Sequence, residues 1–311
     1  YWNDKETVIN SATFLAIENP STDVARYRAG DLDMTNYALP PEQFAKLQKE
    51  LPGEVFTTRT LATYSYELNN KKAPFDNVNV RKALNLSLDR NVITDKVLGQ
   101  GQTPTYVFTP TYIEEGQLIQ QPAYSKEPMA QRNEEAIKLL EEAGYSKANP
   151  LKFSILYNTN ENHKKVAIAA ASMWKANTKG LIDVKLENQE WKTYIDSRRA
   201  GRYDAARAGW NADYNQATTF GNYFLSNSSN NTAKYANPEY DKAIAESYVA
   251  TDAEGRAKAY AKAEEILAKD FGIVPIFNYV NPRLVKPYVK GYSGKDPQDH
   301  IYLRNLYIIK H

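Results

Sequence analysis

The chain has 311 residues, with 39 basic against 37 acidic side chains and no cysteine. Its length implies two domains, or one interrupted by another, and its near-balanced charge argues against a general pull toward nucleic acid or anionic membrane. The absence of cysteine excludes disulfides, thiolate metal sites and cysteine nucleophiles, while His163, His300 and His311 lie too far apart for a helical zinc pair.

Residues Thr7 to Ile17 alternate enough to predict a strand. Thr22 is the expected cap of a short helix, Asp23 to Ala29, stopped by Gly30. A short strand, Leu32 to Thr35, precedes a helix opened by Pro40-Pro41 and running through Leu51. Val55 to Asn69 has the Thr, Tyr and Val density of one long strand or two that bend, and its length suggests a crossing between lobes. After Asp76, apolar residues Val80, Ala83, Leu84 and Leu88 recur at helical period behind an Asp or Asn cap; a second short helix reaches Leu98. Gln102 to Pro128 lacks a period and reads as loop, and Arg132 to Ala143 as an amphipathic helix closed by Gly144.

The clearest architecture follows: strand Leu151 to Tyr157, helix Glu161 to Asn177, strand Ile182 to Leu186, helix Trp191 to Arg199 and strand Tyr203 to Ala208. This β-α-β-α-β order predicts right-handed crossovers and a mainly parallel sheet, hence an α/β class. Ligands bind just past the ends of such strands, so topology makes His163, Trp191, Trp210 and Asp213 expected neighbours. Further helices are expected over Thr218 to Leu225, over Pro238 to Val249 behind Asn237, and over Asp252 to Lys269 behind Thr251. Phe271 to Val280 is strongly β, with Pro275 pointing to an edge or bend, and the remainder is loop with a terminal strand or short helix. No run of apolar residues is long enough to span a membrane, and Tyr1 to Lys5 lacks the zones of a signal peptide.

The stretch Tyr203 to Asn215 concentrates the chemistry, because Arg207 and Asp213 flank Trp210 and offer a cation, an anion and a flat ring. Each residue has two readings. Asp213 is either an anion for a ligand ammonium or a cap on the next helix. Arg207 is a ligand group or the partner of Asp204 or Glu187. Arg198, with Arg199, meets a ligand or a helix dipole. His163 is a site group or structural, and Trp191 and Trp210 are a site or core. The 23 tyrosines suit a wet recognition cleft or, more blandly, sheet faces. Enzyme motifs are poorly represented: there is no Gly-x-Ser-x-Gly elbow and no phosphate-binding glycine loop, although Glu187 and Asp213 beside a Trp could form a glycosidase pair.

Gly209-Trp-Asn-Ala-Asp-Tyr-Asn215, with Glu187-Asn-Gln-Glu-Trp191 before it and Ser229-Asn-Asn-Thr232 after it, resembles the periplasmic oligopeptide-binding proteins of bacterial ABC importers. Further blocks are Tyr66 to Asn70, Lys72-Ala-Pro-Phe75, Tyr157-Asn-Thr159, His163-Lys-Lys165, Val285-Lys-Pro287, Gly294-Lys-Asp-Pro297 and Asn305 to His311. The resemblance implies a type II periplasmic binding protein architecture: part of lobe I over residues 1–61, a complete peptide-binding α/β lobe III over 62–280, and a return to lobe I over 281–311, with lobe II and the start of lobe I preceding Tyr1. It implies a periplasmic, monomeric solute-binding subunit that is not an enzyme and needs no cofactor or metal. Such a subunit holds short peptides extended with little sequence selectivity and passes them to membrane permease subunits. Within the family a murein-peptide binder is the alternative, and a carbohydrate-binding protein or glycosidase lies further off. By resemblance Asp213 pairs with the peptide ammonium, and Arg207, Arg198 and His163 meet the carboxylate of peptides of different length. Trp191, Trp210, Asn230 and Tyr279 line side-chain pockets, Glu67 lies in a pocket favouring basic residues, and Asn211 and Ala212 offer backbone groups. Two departures bear on specificity. Leu98 stands where well-known members carry a lysine used for short peptides, which counts against dipeptide-length binding, and Ser65 replaces a tyrosine, which would open one pocket.

Overall fold

The structure, a computed structural model, describes residues 2–17, 19–36 and 39–310. Thr7 to Ile17 forms no strand: it joins no sheet among the described residues, and Val8 and Phe14 are exposed. Alternation alone does not make a strand, since each backbone N–H and C=O needs a neighbour to pair with. Asn19 rather than Thr22 caps α1, Pro20–Ala29, accepting the Ser21 N–H at 2.8 Å. Pro20 at the first helical position explains the shift, because its fixed φ suits that place and it has no N–H to satisfy. Gly30, at φ 87°, closes the helix as expected. The expected strand Leu32 to Thr35 is a single bridge, Met34 to Val285.

The chain continues through α2 (Pro41–Glu50), β1 (Val55–Leu68) and α3 (Val78–Leu86), capped by Asn77. A π-helical turn follows at Val92–Leu98, then the short β2 (Thr103–Pro104) and α4 (Met129–Glu142). Next come β3 (Leu151–Asn158), α5 (Glu161–Asn177), β4 (Ile182–Gln189), α6 (Trp191–Arg199) and β5 (Ala205–Asn211). The rest is α7 (Thr218–Gly221), α8 (Pro238–Val249), α9 (Ala253–Lys269), β6 (Ile273–Leu284), β7 (Val289–Lys290) and β8 (Tyr307–Ile308). Asp252, not Thr251, caps α9, accepting the Gly255 N–H at 2.7 Å.

Two compact units emerge: Tyr1–Thr60, Leu98–Gln102 and Tyr279–His311 form one, Leu61–Val97 and Thr103–Asn278 the other. The first contains α1, α2 and the β7–β8 pair, with a core of Val24, Tyr27, Leu39, Phe44, Leu47 and Leu284. The second is built on a sheet of order β2-β6-β1-β5-β3-β4. Pro275 therefore lies in a strand with neighbours on both sides rather than at an edge. It is tolerated where β2 contributes only two residues, and its carbonyl accepts the Arg90 Nε–H at 2.7 Å.

In that sheet β4, β3 and β5 run parallel, whereas β1 is antiparallel to β5 and β2 to β6, so it is mixed rather than mainly parallel. The parallel part is the β-α-β-α-β run; β1 comes from far earlier in the chain and pairs with the side of β5 that the run leaves open. The path from β3 to β4 moves outward and that from β4 to β5 returns past β3, so crossovers of one hand put α5 and α6 on opposite faces. Packing agrees. Trp174 of α5 meets Tyr66, while Tyr194 of α6 packs with Leu156 and Ala206. Alternation assigns Tyr64, Tyr66, Arg207 and Asn211 to the α5 face, and Thr63, Ser65, Glu67, Ala206 and Trp210 to the α6 face.

Candidate functional site

On the α5 face the Arg207 guanidinium carbon lies 5.2 Å from the Tyr64 ring centre. A cation over a ring quadrupole contributes about 0.5–2 kcal/mol, depending on how dry the site is. Tyr64 stacks on Phe277 at 4.7 Å and reaches the His163 ring at 5.6 Å. Asn160 places His163 in the first turn of α5, its side-chain oxygen accepting the Asn162 and His163 N–H groups at 2.9 and 3.1 Å. Burial first, and the Arg207 charge second, hold the His163 imidazole well below its ordinary 6.5. The ring is therefore neutral at pH 7, with one nitrogen donating and the other accepting.

The α6 face handles charge differently. Glu67 is 1 % exposed, and its carboxylate accepts the Tyr223 O–H at 2.6 Å, the Arg198 Nη2–H at 3.0 Å and the Thr232 O–H. Arg198 comes from the last turn of α6, 11 % exposed, and its guanidinium carbon lies 5.7 Å from the Tyr194 ring centre. Burial is the largest single influence and opposes its charge, but Glu67, Tyr194 and Tyr223 together outweigh it and raise the Arg198 pKa. Glu67 is a buried carboxylate beside Arg198 that accepts three hydrogen bonds, one on Oε1 and two on Oε2. Ser65 on the same face is fully enclosed and opens no pocket, and Leu98 is buried.

Past the end of β5, three groups share one hydroxyl. Thr219 Oγ1 accepts the Trp210 indole N–H at 3.3 Å and the Asp213 backbone N–H at 3.2 Å, and donates to Asp213 Oδ2 at 3.2 Å. Two acceptances and one donation use the hydroxyl completely. Asp213 accepts that hydroxyl and no helix N–H, while α7 has Ala217 at its N-cap position and no side-chain cap from it, so the helix-cap reading falls. The Asp213 carboxylate is exposed and forms no ion pair among the described residues. Trp210 is half-buried with its ring edge-on to Tyr223, centroids 4.8 Å apart.

The structure divides the predicted residues accordingly. His163 joins Arg207 on the α5 face, whereas Trp191, Trp210, Asp213, Arg198 and Glu67 belong to the α6 side, so the expected grouping of His163 with Trp191, Trp210 and Asp213 is corrected. Trp191 opens α6, 54 % exposed, stacked on Tyr194 at 5.8 Å. Asn211 ends β5 opposite Ala62, and Asn230 lies in an exposed loop. Tyr279 belongs to the other unit, where its carbonyl accepts the Thr60 hydroxyl at 3.2 Å. Asp204 pairs with Lys72 at 2.6 Å and Glu187 with Lys185 at 3.2 Å. Glu187 is also on β4, two strands from β5, which disfavours a carboxylate pair with Asp213. Tyr64, Thr219, Tyr223 and Thr232 were not singled out from sequence; the odd spacing of 207 and 210 within one strand was the available sign that Arg207 and Trp210 diverge.

This arrangement defines a class of protein. The chain belongs to the bacterial extracellular solute-binding proteins, family 5, whose profile, that of the middle part, matches residues 1–232. Its fold is the mixed α/β fold of the type II periplasmic binding proteins. It is 96 % identical over 311 residues to the periplasmic oligopeptide-binding protein OppA of Haemophilus influenzae, covering all of this chain and 58 % of that protein. The crystal structure of Haemophilus influenzae OppA complexed with RPPGFSPFR superposes with a TM-score of 0.95 at 95 % identity, over all of this chain and 60 % of that one. The Escherichia coli murein tripeptide binding protein MppA gives 0.93 at 43 % identity, again covering 100 % of this chain and 60 % of its own. The chain thus spans less than two thirds of these relatives. No helix among the described residues is long and apolar enough to cross a membrane.

Proposed function

We propose that the chain is the peptide-holding part of a periplasmic solute-binding subunit, which captures short extended peptides and presents them to the permease of an ABC importer. The larger unit corresponds to lobe III, roughly residues 62–280, and the smaller to part of lobe I, residues 1–61 and 281–311; breaks of the chain after Thr60 and before Tyr279 support these bounds. Asp213 is the group for the peptide ammonium, and Arg207, with neutral His163 beside it, is a carboxylate group reached by peptides of one length. Arg198 serves another length only by sharing its charge with Glu67. Trp191, Trp210, Asn211 and Asn230 shape the walls. The subunit acts as a monomer without catalysis.

The observation that carries this reading is an exposed carboxylate at a strand end, held from below by a neutral hydroxyl rather than a cation, and so free to take a ligand's charge. A strand-end position also lets an extended peptide bond along backbone groups, leaving its side chains in wet pockets and its sequence loosely specified. The likeness to MppA supports murein peptides as a second ligand class. In the full-length protein, Asp213→Ala should weaken binding of a free-amino peptide by about 2–5 kcal/mol, since a desolvated ammonium loses its partner. Unchanged affinity by calorimetry rules the assignment out, and mass spectrometry of co-purified ligands separates ordinary from murein peptides.

A further inference from the structure

Asp213 stands on a loop that is not held by its own strand alone. At its start the Ala212 N–H bonds the Leu61 carbonyl at 2.8 Å, and at its end the Ala217 N–H bonds the Glu114 carbonyl at 3.0 Å. Asn215 accepts the Glu114 N–H at 3.2 Å. Beside them, Glu115 is buried and sits at φ 65°, a conformation that L side chains rarely adopt. One Glu115 oxygen takes Nε and Nη2 of Arg256, on α9, at 2.9 and 2.6 Å, and the other takes the Gln216 side-chain N–H. Gln216 passes the link on: it donates to the Tyr260 hydroxyl at 3.1 Å and accepts the Thr218 N–H at 2.9 Å, one residue before Thr219. The turn carrying Glu115 is itself tight. A Cβ on Gly116 would approach Ile113 Cγ2 at 2.7 Å and the Pro110 carbonyl at 2.9 Å, so backbone fixes where the carboxylate points.

We propose that Glu115 is a positioning residue for the ammonium site: anchored by Arg256, it locks Gln216 and so fixes the loop that carries Asp213. It touches no ligand. The non-glycine residue in the left-handed region is kept because only that backbone turns its carboxylate toward both Arg256 and Gln216, and a buried carboxylate with an Arg on one oxygen and an amide on the other permits little play. The role rests on Asp213 meeting the peptide ammonium. Glu115 then contributes only to ligands that carry a free amino terminus, whereas a merely structural residue affects every ligand alike.

The test is calorimetric, on the full-length protein, with tetra-alanine and N-acetyl-tetra-alanine as probes. Glu115→Gly removes the carboxylate while suiting the positive φ. It should lower affinity for the free-amino peptide by about tenfold or more and change that for the acetylated peptide by less than about twofold, as expected for groups coupled in one network. Equal losses for both peptides, or none, overturn the proposal. Should that variant not fold, Arg256→Met cuts the same bracket from the other side and must give the same selective loss. If the unaltered protein does not distinguish the two peptides, the ammonium reading itself fails, and Glu115's role with it.

Discussion

The two faces of the sheet in the larger unit each present an arginine within reach of a tyrosine ring, under opposite electrostatic regimes. On the α6 face Arg198 is tied to a buried carboxylate that also accepts two hydroxyls, and its charge is largely balanced inside the protein. On the α5 face Arg207 lies over Tyr64, and its field reaches far enough to help keep His163 neutral. A buried ion pair fixes geometry but is costly to break, because either partner alone is a desolvated charge. A cation over a ring quadrupole contributes less, about 0.5–2 kcal/mol.

Breaking the ion pair should have the largest effect. Glu67→Ala leaves Arg198 buried without a counter-charge and should cost about 3–5 kcal/mol in urea unfolding, much of it recovered by adding Arg198→Met. If the double variant is no better than the single one, the loss is one of packing and not of charge. A smaller number should come from the other face, where a double-mutant cycle of Tyr64→Leu with Arg207→Gln should return a coupling of about 1 kcal/mol. Comparable couplings on the two faces would erase the contrast. The smallest effect concerns His163. Its folded pKa is depressed, so its stabilising contribution is present above 6.5 and is lost as pH falls, because the unfolded chain takes up a proton that the folded chain refuses. His163→Gln should flatten the fall of stability just below that pH by at most about 1.4 kcal/mol per pH unit, the worth of one proton. An unaltered slope in His163→Gln would assign the acid loss to other groups.

The β-α-β-α-β core was legible because its punctuation is local. Asn160 and Glu190 cap α5 and α6, and Asn237 with Pro238 starts α8, each where sequence reading put the boundary. What escaped it depends on distant partners. β5 extends through Gly209, Trp210 and Asn211 because β1, from a remote part of the chain, pairs with it there; the segment alone ends the strand at Ala208 and hides the alternation that separates Arg207 from Trp210. The opposite faces of α5 and α6 follow from strand order, which local patterns do not carry. Glu67 illustrates the same limit for chemistry: its burial and its bonds to Tyr223, Arg198 and Thr232 depend on residues far away in the chain. Thr219, an unremarked hydroxyl between Asp213 and Trp210, is invisible until the turn closes on it.

The shared Thr219 hydroxyl also makes the site its own optical gauge. The Trp210 indole N–H points at the oxygen that steadies Asp213, so neutralising that carboxylate alters the electric field along a chromophore without any label. Trp174 is sealed in the interior and Trp2 and Trp191 are open to solvent, which leaves Trp210 as the half-buried indole wired to the anion. Emission colour should then distinguish a ligand that brings a positive charge to Asp213 from one that merely fills the space above it.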